Sequence, residues 1–247
     1  MESFKMDTKM PIQSHTLSSQ IKHYVLDMIS QQQLTPGMAV PSEVKLIEEL
    51  GVSRGVIREA YRSLSALGIL EIKSGKVPRV KAFDSSVLEL IFGFAIASNQ
   101  VSVSQILSVR QWLEIGSASM AATNGNEEDF RQLQDEMKQI EACIFDAEKF
   151  IQHDINFHLI IARASRNPLS GILLQSLHEQ LRRSIHAGLE AQSGTDAERK
   201  QIVSLHQDIC DCVCAKDAEG AMKAMTNHFN TAVNSLIEKG EKANDGA

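Results

Sequence analysis

The sequence lacks the features that are typical of membrane proteins, exported proteins and proteins built from β-sheets. Its 247 residues include one tryptophan, two tyrosines and nine phenylalanines. No apolar run approaches the roughly 20 residues that a membrane-spanning helix needs, and residues 1–15 lack the apolar core of an export signal. Long alternating runs of Val, Ile and Thr, which predict strands, are missing outside a short segment after residue 68. These absences predict a mostly α-helical protein of the cytoplasm that has no membrane partner.

Cysteine is scarce, and its spacing excludes a disulfide framework or a CxxC motif. Four cysteines are present, and three of them form the pattern Cys210-x-Cys212-x-Cys214. On a helix, Cys210 and Cys214 share one face and Cys212 points away from it. We expect these thiols to pack in the core in a reducing compartment, with a redox role as the alternative.

The net charge of −6 argues at first against a nucleic-acid partner, but the charge is unevenly distributed. Residues 17–81 hold nine Lys and Arg against six Asp and Glu, a net charge of +3, whereas residues 82–247 carry −9. A basic segment on an acidic body is typical of a DNA-binding domain joined to a ligand-binding domain. Because +3 is modest, tight binding is expected to need two copies of the chain on one DNA.

Residues 40–81 carry the pattern of a winged helix-turn-helix. Ser42 and Ser53 are placed to cap two successive helices, and Gly51 ends the first of them. The apolar residues of the second helix recur at helical spacing, which predicts one buried face. A turn at Ser74–Gly75 then joins two short strands, which form the wing.

An arginine stripe lies on the second of these helices. Arg54, Arg58 and Arg62 recur every four residues, so they line one face. Such a stripe is often only a solvated surface. Here it begins the second helix of a helix-turn-helix, which is the helix that enters the major groove of DNA.

The segment PSEVKLIEELGVSRGVIREAYRSLSALGIL at residues 41–70 resembles the winged-helix domain of GntR-type bacterial transcription regulators, and the IKSGKVPRV wing is similar to that of the FadR subgroup. The resemblance implies a homodimer on a palindromic, double-stranded DNA operator. Val44 stands where the family commonly has an arginine, which predicts a shifted operator sequence. The residues expected to meet DNA are Val44, Lys45, Ser53, Arg54, Gly55, Arg58, Ser74, Gly75 and Lys76.

The remainder of the chain shows helical patterns only. The first of these helices, Val87–Ala97, is apolar on most sides, so we expect it to be buried at a domain or subunit contact. Residues 109–122, 154–169 and 205–229 resemble the FCD effector domain of the FadR subgroup. The expected fold is mainly α, a winged helix-turn-helix followed by an all-α antiparallel bundle. The expected limits are 1–15 for a flexible tail, 16–81 for the DNA-binding domain, 82–86 for a linker, 87–240 for the effector-binding and dimerisation domain, and 241–247 for a second tail.

Four residues are candidates for a metal site. Asp154 and His158 are four residues apart on one helix and can bind one ion, although surface pairs and satisfied core groups with this spacing are commoner. Spacing alone does not connect them to His206 and His228 on two later helices. The metal-binding members that the chain resembles carry D-x3-H and then one histidine in each of the last two helices. The resemblance therefore implies a site of three nitrogens and one oxygen for a divalent transition metal ion such as Zn, Ni or Mn.

Arg110 is the candidate for binding an anionic effector. The simple expectation is a salt bridge with Glu114, four residues on. In similar FCD proteins an arginine at this place faces the cavity, and a guanidinium binds a carboxylate bidentately. Among the other histidines, His153 is expected to point away from the metal ligands, and His178 and His186 to be solvated or to face a partner.

These features together predict a DNA-binding transcription regulator, with repression as the expected sign. A small carboxylate metabolite at the metal site would control its affinity for the operator. One alternative is a metal-dependent enzyme acting on a small carboxylic acid, in which the ion activates water and Glu114 is the candidate general base. In the other alternative the protein is a regulator, the ion is purely structural and no small ligand exists.

Overall fold

The computed structural model describes the backbone of residues 16–189 and 196–244, and the side chains of residues 16–180, 197 and 199–231. The chain divides into two compact units between Val87 and Leu88. The predicted tail at residues 1–15 lies outside the described residues, and so does the side chain of His186.

The described part of the N-terminal unit consists of α1 (Leu17–Gln31), α2 (Glu43–Leu50), α3 (Arg54–Ala66), β1 (Leu70–Glu71) and β2 (Arg79–Val80). Ser42 caps α2 as predicted, because its hydroxyl accepts a hydrogen bond of 3.2 Å from the N–H of Lys45. Gly51 ends α2 with a φ of 63°, a conformation that glycine adopts without strain. Ser53 precedes α3 in extended conformation, but its side chain makes no capping hydrogen bond.

An apolar core holds these elements together. Leu46 of α2 and Ile57 and Leu64 of α3 are almost completely buried. Tyr61 is buried with them, and its hydroxyl donates a hydrogen bond of 2.6 Å to the carbonyl of Pro41, just before α2. Burial and then the charge of nearby glutamates raise the pKa of Tyr61, so the hydroxyl remains a donor. The core and this bond fix α3 relative to the segment that leads into α2.

The wing is a short antiparallel hairpin. Leu70 pairs with Val80 and Glu71 with Arg79. The segment before α2 extends this sheet through an isolated bridge between Ala39 and Arg79. The predicted turn is present, with an N–H of Lys76 donating to the carbonyl of Lys73 at 3.1 Å.

The C-terminal unit is built from helices in the part that the structure describes. They are α4 (Ser86–Ala97), α5 (Val103–Asn124), α6 (Glu127–Ala142), α7 (Ala147–Ala164), α8 (Pro168–Leu189), α9 (Asp196–Cys214) and α10 (Ala218–Asn244). Ser102 and Gln105 form a capping box at the start of α5. Helix α10 continues four residues past its predicted end at residue 240. None of the helices within the described ranges is long and apolar enough to cross a membrane.

Helix α5 lies at the centre of this unit, where it packs against α7, α8, α9 and α10. Ala118, Ala121 and Ala122 are completely buried, so neighbouring helices can approach closely. Arg110, Glu114 and Ser117 are also buried on this helix, which places polar groups inside the bundle. Cys210 is 1% exposed and belongs to the apolar core, in line with its expected packing role.

Helix α4 is more exposed than its composition suggests. None of its residues is buried in the single chain, and Leu90 and Phe94 are 75% and 66% exposed. On the other side of the helix, Phe92 and Ile96 pack against a small cluster around Ile106. The chain alone therefore covers one side of α4, and a subunit contact on the other side stays a prediction.

Candidate functional site

The nine residues expected to contact DNA are all exposed to solvent. They lie at the start of α2, at the start of α3 and in the turn of the wing. Val44 is 52% exposed, so an apolar side chain stands on this surface where the resemblance leads one to expect an arginine. The local structure thus presents the predicted residues on the surface, and their contact with DNA stays a prediction.

Two ion pairs involve basic side chains of this surface. Arg58 Nε lies 3.9 Å from Glu43 Oε2, and Lys45 Nζ lies 3.7 Å from Glu49 Oε1. Ion pairs of this exposure are worth at most about 1 kcal/mol, so a phosphate can displace either acid. Both cations are therefore available to DNA.

Three histidines from three helices meet inside the C-terminal unit. His158 comes from α7, His206 from α9 and His228 from α10, and one ring nitrogen of each lies within 4.8 Å of the others. The ring centroids of His206 and His228 are 4.6 Å apart, and those of His158 and His228 are 5.1 Å apart. Imidazoles gathered in this way are the ligands that Zn, Ni and related ions prefer.

Asp154 lies beside these histidines, one helical turn before His158. Its Oδ1 is 2.9 Å from His206 Nε2 and 3.8 Å from His158 Nε2. Burial alone would raise the pKa of Asp154, but the hydrogen bond with His206 and the adjacent imidazoles hold it below its ordinary value. The structure therefore brings the four predicted metal residues together, with an ionised carboxylate beside three imidazoles.

The contacts of His206 leave a place for a cation. Its Nδ1 lies 2.8 Å from the carbonyl oxygen of Ile202, and because a carbonyl only accepts, Nδ1 carries the ring proton. In a neutral ring, Nε2 then points a lone pair at the carboxylate of Asp154. Two lone pairs at 2.9 Å need a positive charge between them, from a second proton or a metal ion.

The other two histidines also have nitrogens without a partner. Nε2 of His158 and Nδ1 of His228 are buried and make no hydrogen bond within the described part of the chain. A buried polar atom without a partner costs about 1–3 kcal/mol, and a metal ion would satisfy each of these nitrogens that faces it. The chemistry of the donor set therefore fits a divalent transition metal ion.

Glu114 on α5 connects the histidines to Arg110. Its Oε1 accepts a hydrogen bond of 2.7 Å from Nε of Arg110, and its Oε2 lies 2.5 Å from Nδ1 of His158. The second contact has the distance of an ion pair but not the alignment of a hydrogen bond. Burial would raise the pKa of Glu114, but the charge of Arg110 and the contact with His158 hold it well below its ordinary value. The predicted salt bridge of Arg110 is thus present, and it is buried.

Arg110 is 8% exposed and lies in the same interior as the histidines. Its guanidinium carbon is 5.6 Å from the centre of the Phe229 ring, the residue after His228. A guanidinium can bind a carboxylate through two nitrogens, and here Nε is already hydrogen-bonded to Glu114.

His178 corrects one sequence-based expectation. It is 2% exposed, and its Nε2 lies 3.5 Å from Oε1 of Glu114. Burial and the charge of Arg110 lower its pKa to about 3, so the ring is neutral. The expectation that His178 is solvated or partner-facing is wrong for this chain, because α8 packs this face against α5 and α7. His153, by contrast, contacts Glu136 at 2.6 Å, away from the three clustered histidines.

Sequence reasoning missed part of this interior. It treated Glu114 only as a salt-bridge partner or a general base, and it gave no role to Ser117, whose hydroxyl is buried without a hydrogen bond among the described residues. The available signal was the spacing of Arg110, Glu114 and Ser117, which places all three on one face of the helix.

Comparison with known proteins identifies the family. The model of bacterial regulatory proteins of the gntR family matches residues 17–80, and the FCD domain model matches residues 105–231. The HTH-type transcriptional regulator LutR of Bacillus subtilis (strain 168) is 31% identical over 210 residues, which cover 82% of this chain and 93% of LutR. The chain therefore belongs to the GntR family of transcription regulators and carries an FCD domain.

Two further comparisons agree. The Glc operon transcriptional activator of Escherichia coli (strain K12) is 29% identical over 239 residues, covering 93% of this chain and 91% of the activator. The solved structure of Streptococcus agalactiae GntR matches with a TM-score of 0.68 at 23% identity, covering 88% of this chain and 99% of that one, which supports the fold.

The family settles the broad class of function. A GntR helix-turn-helix implies DNA binding, and an FCD domain implies a small-molecule effector. The relatives are transcription regulators and not enzymes, so the alternative of a metal-dependent enzyme is set aside.

Proposed function

We propose that this protein is a transcription repressor of the cytoplasm whose operator affinity is controlled by a small carboxylate bound at a divalent metal ion. The observation that carries the proposal is that Asp154 and three imidazoles lie together inside the C-terminal unit, and that nitrogens of His158 and His228 have no hydrogen-bond partner among the described residues. An ion there satisfies these groups and offers a Lewis acid to a carboxylate ligand.

The residues proposed to hold the ion are Asp154, His158, His206 and His228. Zn, Ni and Mn are the candidate ions for this donor set. The hydrogen bond of His206 to the carbonyl of Ile202 supports this assignment, because it directs the lone pair of Nε2 at the proposed ion.

Arg110 is proposed to bind the carboxylate effector from the side opposite the ion. Its place beside Phe229 and Glu114 supports this role. A further relative, the putative L-lactate dehydrogenase operon regulatory protein of Escherichia coli (strain K12), is 28% identical over 222 residues, covering 87% of this chain and 84% of that protein. Its name makes lactate and similar short acids the first effectors to test.

DNA binding is proposed to use a homodimer on a palindromic operator. Each copy would place α3 in one major groove, with Arg54 and Arg58 at base edges or nearby phosphates. Val44, Lys45, Ser53, Gly55 and the wing turn with Lys76 would position the module. A coupling of about 1–3 kcal/mol between effector and DNA is enough to change operator affinity by one to two orders of magnitude.

The testing experiment combines metal analysis with effector screening. Purified protein is assayed for metal by mass spectrometry and for thermal stabilisation by short mono- and dicarboxylates. We expect about one metal ion per chain, stabilisation by one class of acid, and weaker operator binding when that acid is present. A metal-free protein whose stability does not change in His206→Ala or His228→Ala contradicts the metal site.

The second candidate is a regulator whose ion is purely structural. The exposure of Asp154, 27% for the side chain, allows an ion held only by protein groups and water. In that case chelation lowers stability, but no carboxylate changes the melting temperature of the metal-loaded protein. Isothermal titration of the metal-loaded wild type with the acids separates the two candidates, because heat of binding is expected only if a carboxylate effector exists.

A further inference from the structure

The charges inside the C-terminal unit are few and unequally paired. Among the described side chains, Arg110 and Glu114 are the buried members of the Lys, Arg, Asp and Glu classes. Asp154 is the third charged group beside the histidines, at 27% side-chain exposure. Because Glu114 accepts the Nε hydrogen of Arg110 at 2.7 Å, the positive charge of Arg110 is already balanced before any ligand binds.

This pairing decides how much negative charge the loaded site can accept. Histidines that ligate a metal are neutral, and His178 beside Arg110 is disfavoured as a second cation by burial. The charges of Arg110 and Glu114 cancel, and the negative charge of Asp154 offsets one of the two positive charges of a divalent ion. The loaded interior therefore has a net charge of one positive unit, which one carboxylate neutralises and two carboxylates exceed.

From this balance we infer that Glu114 determines specificity: it limits the metal-loaded site to monocarboxylates and excludes dicarboxylates of the same size. The inference rests on the function proposed above. Glu114 neutralises the charge of Arg110 by pairing with its Nε. It also places a fixed negative charge 2.5 Å from Nδ1 of His158. An excess charge in a buried site is costly, so the second carboxylate of a ligand has no counterpart.

The same geometry predicts how specificity changes when Glu114 becomes glutamine. The amide has nearly the shape of the carboxylate but no charge, so the loaded interior gains one positive unit. A dicarboxylate then balances the site, and a monocarboxylate no longer does. Glu114→Asp keeps the charge and is expected to keep the preference for monocarboxylates.

The test uses the full chain loaded with one equivalent of Co²⁺ or Zn²⁺ and isothermal titration with matched acids. Lactate and tartronate differ in a methyl group that becomes a carboxylate, and 2-hydroxybutyrate is a monoanion of about the length of tartronate. We expect lactate to bind at least about tenfold more tightly than tartronate to the wild type, with 2-hydroxybutyrate close to lactate. In Glu114→Gln the ratio of the two affinities shifts toward tartronate by about tenfold or more.

Glu136→Gln is the matched control. Glu136 also contacts a histidine nitrogen at 2.6 Å, but that histidine is His153, outside the cluster, so the ratio should stay unchanged. Equal binding of lactate and tartronate by the wild type, or poor binding of 2-hydroxybutyrate, overturns the inference while the metal-anchored effector site stands. Binding of neither acid to the loaded chain overturns the effector site and the inference with it. An unchanged ratio in a folded Glu114→Gln also overturns the inference. If that variant does not fold, equal binding of the two acids by the wild type still does so.

Discussion

The two units of this protein place their functional residues in opposite environments. In the N-terminal unit the nine residues expected to meet DNA are exposed, and they lie outside the cluster of buried apolar residues that includes Leu46, Ile57 and Tyr61. In the C-terminal unit the candidate functional residues lie in the interior of the bundle, and Arg110, Glu114, His158 and His206 are all buried. Function and stability should therefore be separable in the first unit and coupled in the second.

The largest stability effect should come from breaking the buried ion pair. Arg110→Ala leaves Glu114, which is 1% exposed, without its cation and should lower the free energy of unfolding by about 3–5 kcal/mol. Chemical denaturation monitored by circular dichroism measures this change in the free energy of unfolding. Lys223→Ala is the control, because Lys223 and Glu219 form a pair with the same four-residue spacing but are 72% and 80% exposed. Equal changes in the two variants would contradict a role for burial.

The second largest effect on stability should come from removal of the metal ion, and it should be confined to the C-terminal unit. If the ion is present at about 100 times its dissociation constant, a chelator should lower stability by about 2.7 kcal/mol. Hydrogen exchange is the measurement, because it shows which helices lose stability. Exchange should accelerate in α7, α9 and α10 and stay unchanged in α1, α2 and α3. Two results would show that the ion acts elsewhere. One is faster hydrogen exchange in both units alike, and the other is faster exchange when a chelator is added to His206→Ala.

A smaller effect on stability is expected from the hydroxyl of Tyr61 in the N-terminal core. Tyr61→Phe removes the hydrogen bond to the carbonyl of Pro41 and should lower the free energy of unfolding by about 1 kcal/mol. Tyr24→Phe is the control, because Tyr24 is 42% exposed on α1. A loss several times larger, with altered DNA affinity, would mean that this bond also sets the position of α2 for DNA reading.

The comparison also explains what the sequence predicted well. The N-terminal unit follows local rules, in which Ser42 and Gly51 mark helix ends and the spacing of apolar residues marks the buried face of α3. In the C-terminal unit similar local signals mark helix ends, since Ser102 caps α5 and Pro168 is the first residue of α8. Local chemistry decides such features, so sequence alone is enough.

The interior of the C-terminal unit depends on packing between distant segments. Asp154 and His206 are 52 residues apart, and no local rule places them at 2.9 Å. Resemblance to a family connected the four predicted metal ligands, but it did not reveal that Glu114 contacts Arg110, His158 and His178 at once. His178 was misread for the same reason, because its exposure depends on how α8 packs rather than on its neighbours in sequence. The exposure of Leu90 and Phe94 on α4 likewise depends on packing and cannot be predicted from composition.

The smallest stability effect should come from the DNA-reading surface, where function is expected to change most. Arg58→Ala removes an exposed side chain whose only ion pair among the described residues is the 3.9 Å contact with Glu43, so the melting temperature should hardly change. Operator affinity should fall by about 1–3 kcal/mol if Arg58 reads a base, with relaxed specificity at one position of the operator. If Arg58 contacts only phosphate, binding weakens equally on all sequences and its salt dependence decreases. Arg131→Ala, at an exposed ion pair of α6, is the control and should change neither quantity. An Arg58 variant that loses stability as much as affinity would remove the separation between surface function and core stability that distinguishes this unit from its neighbour.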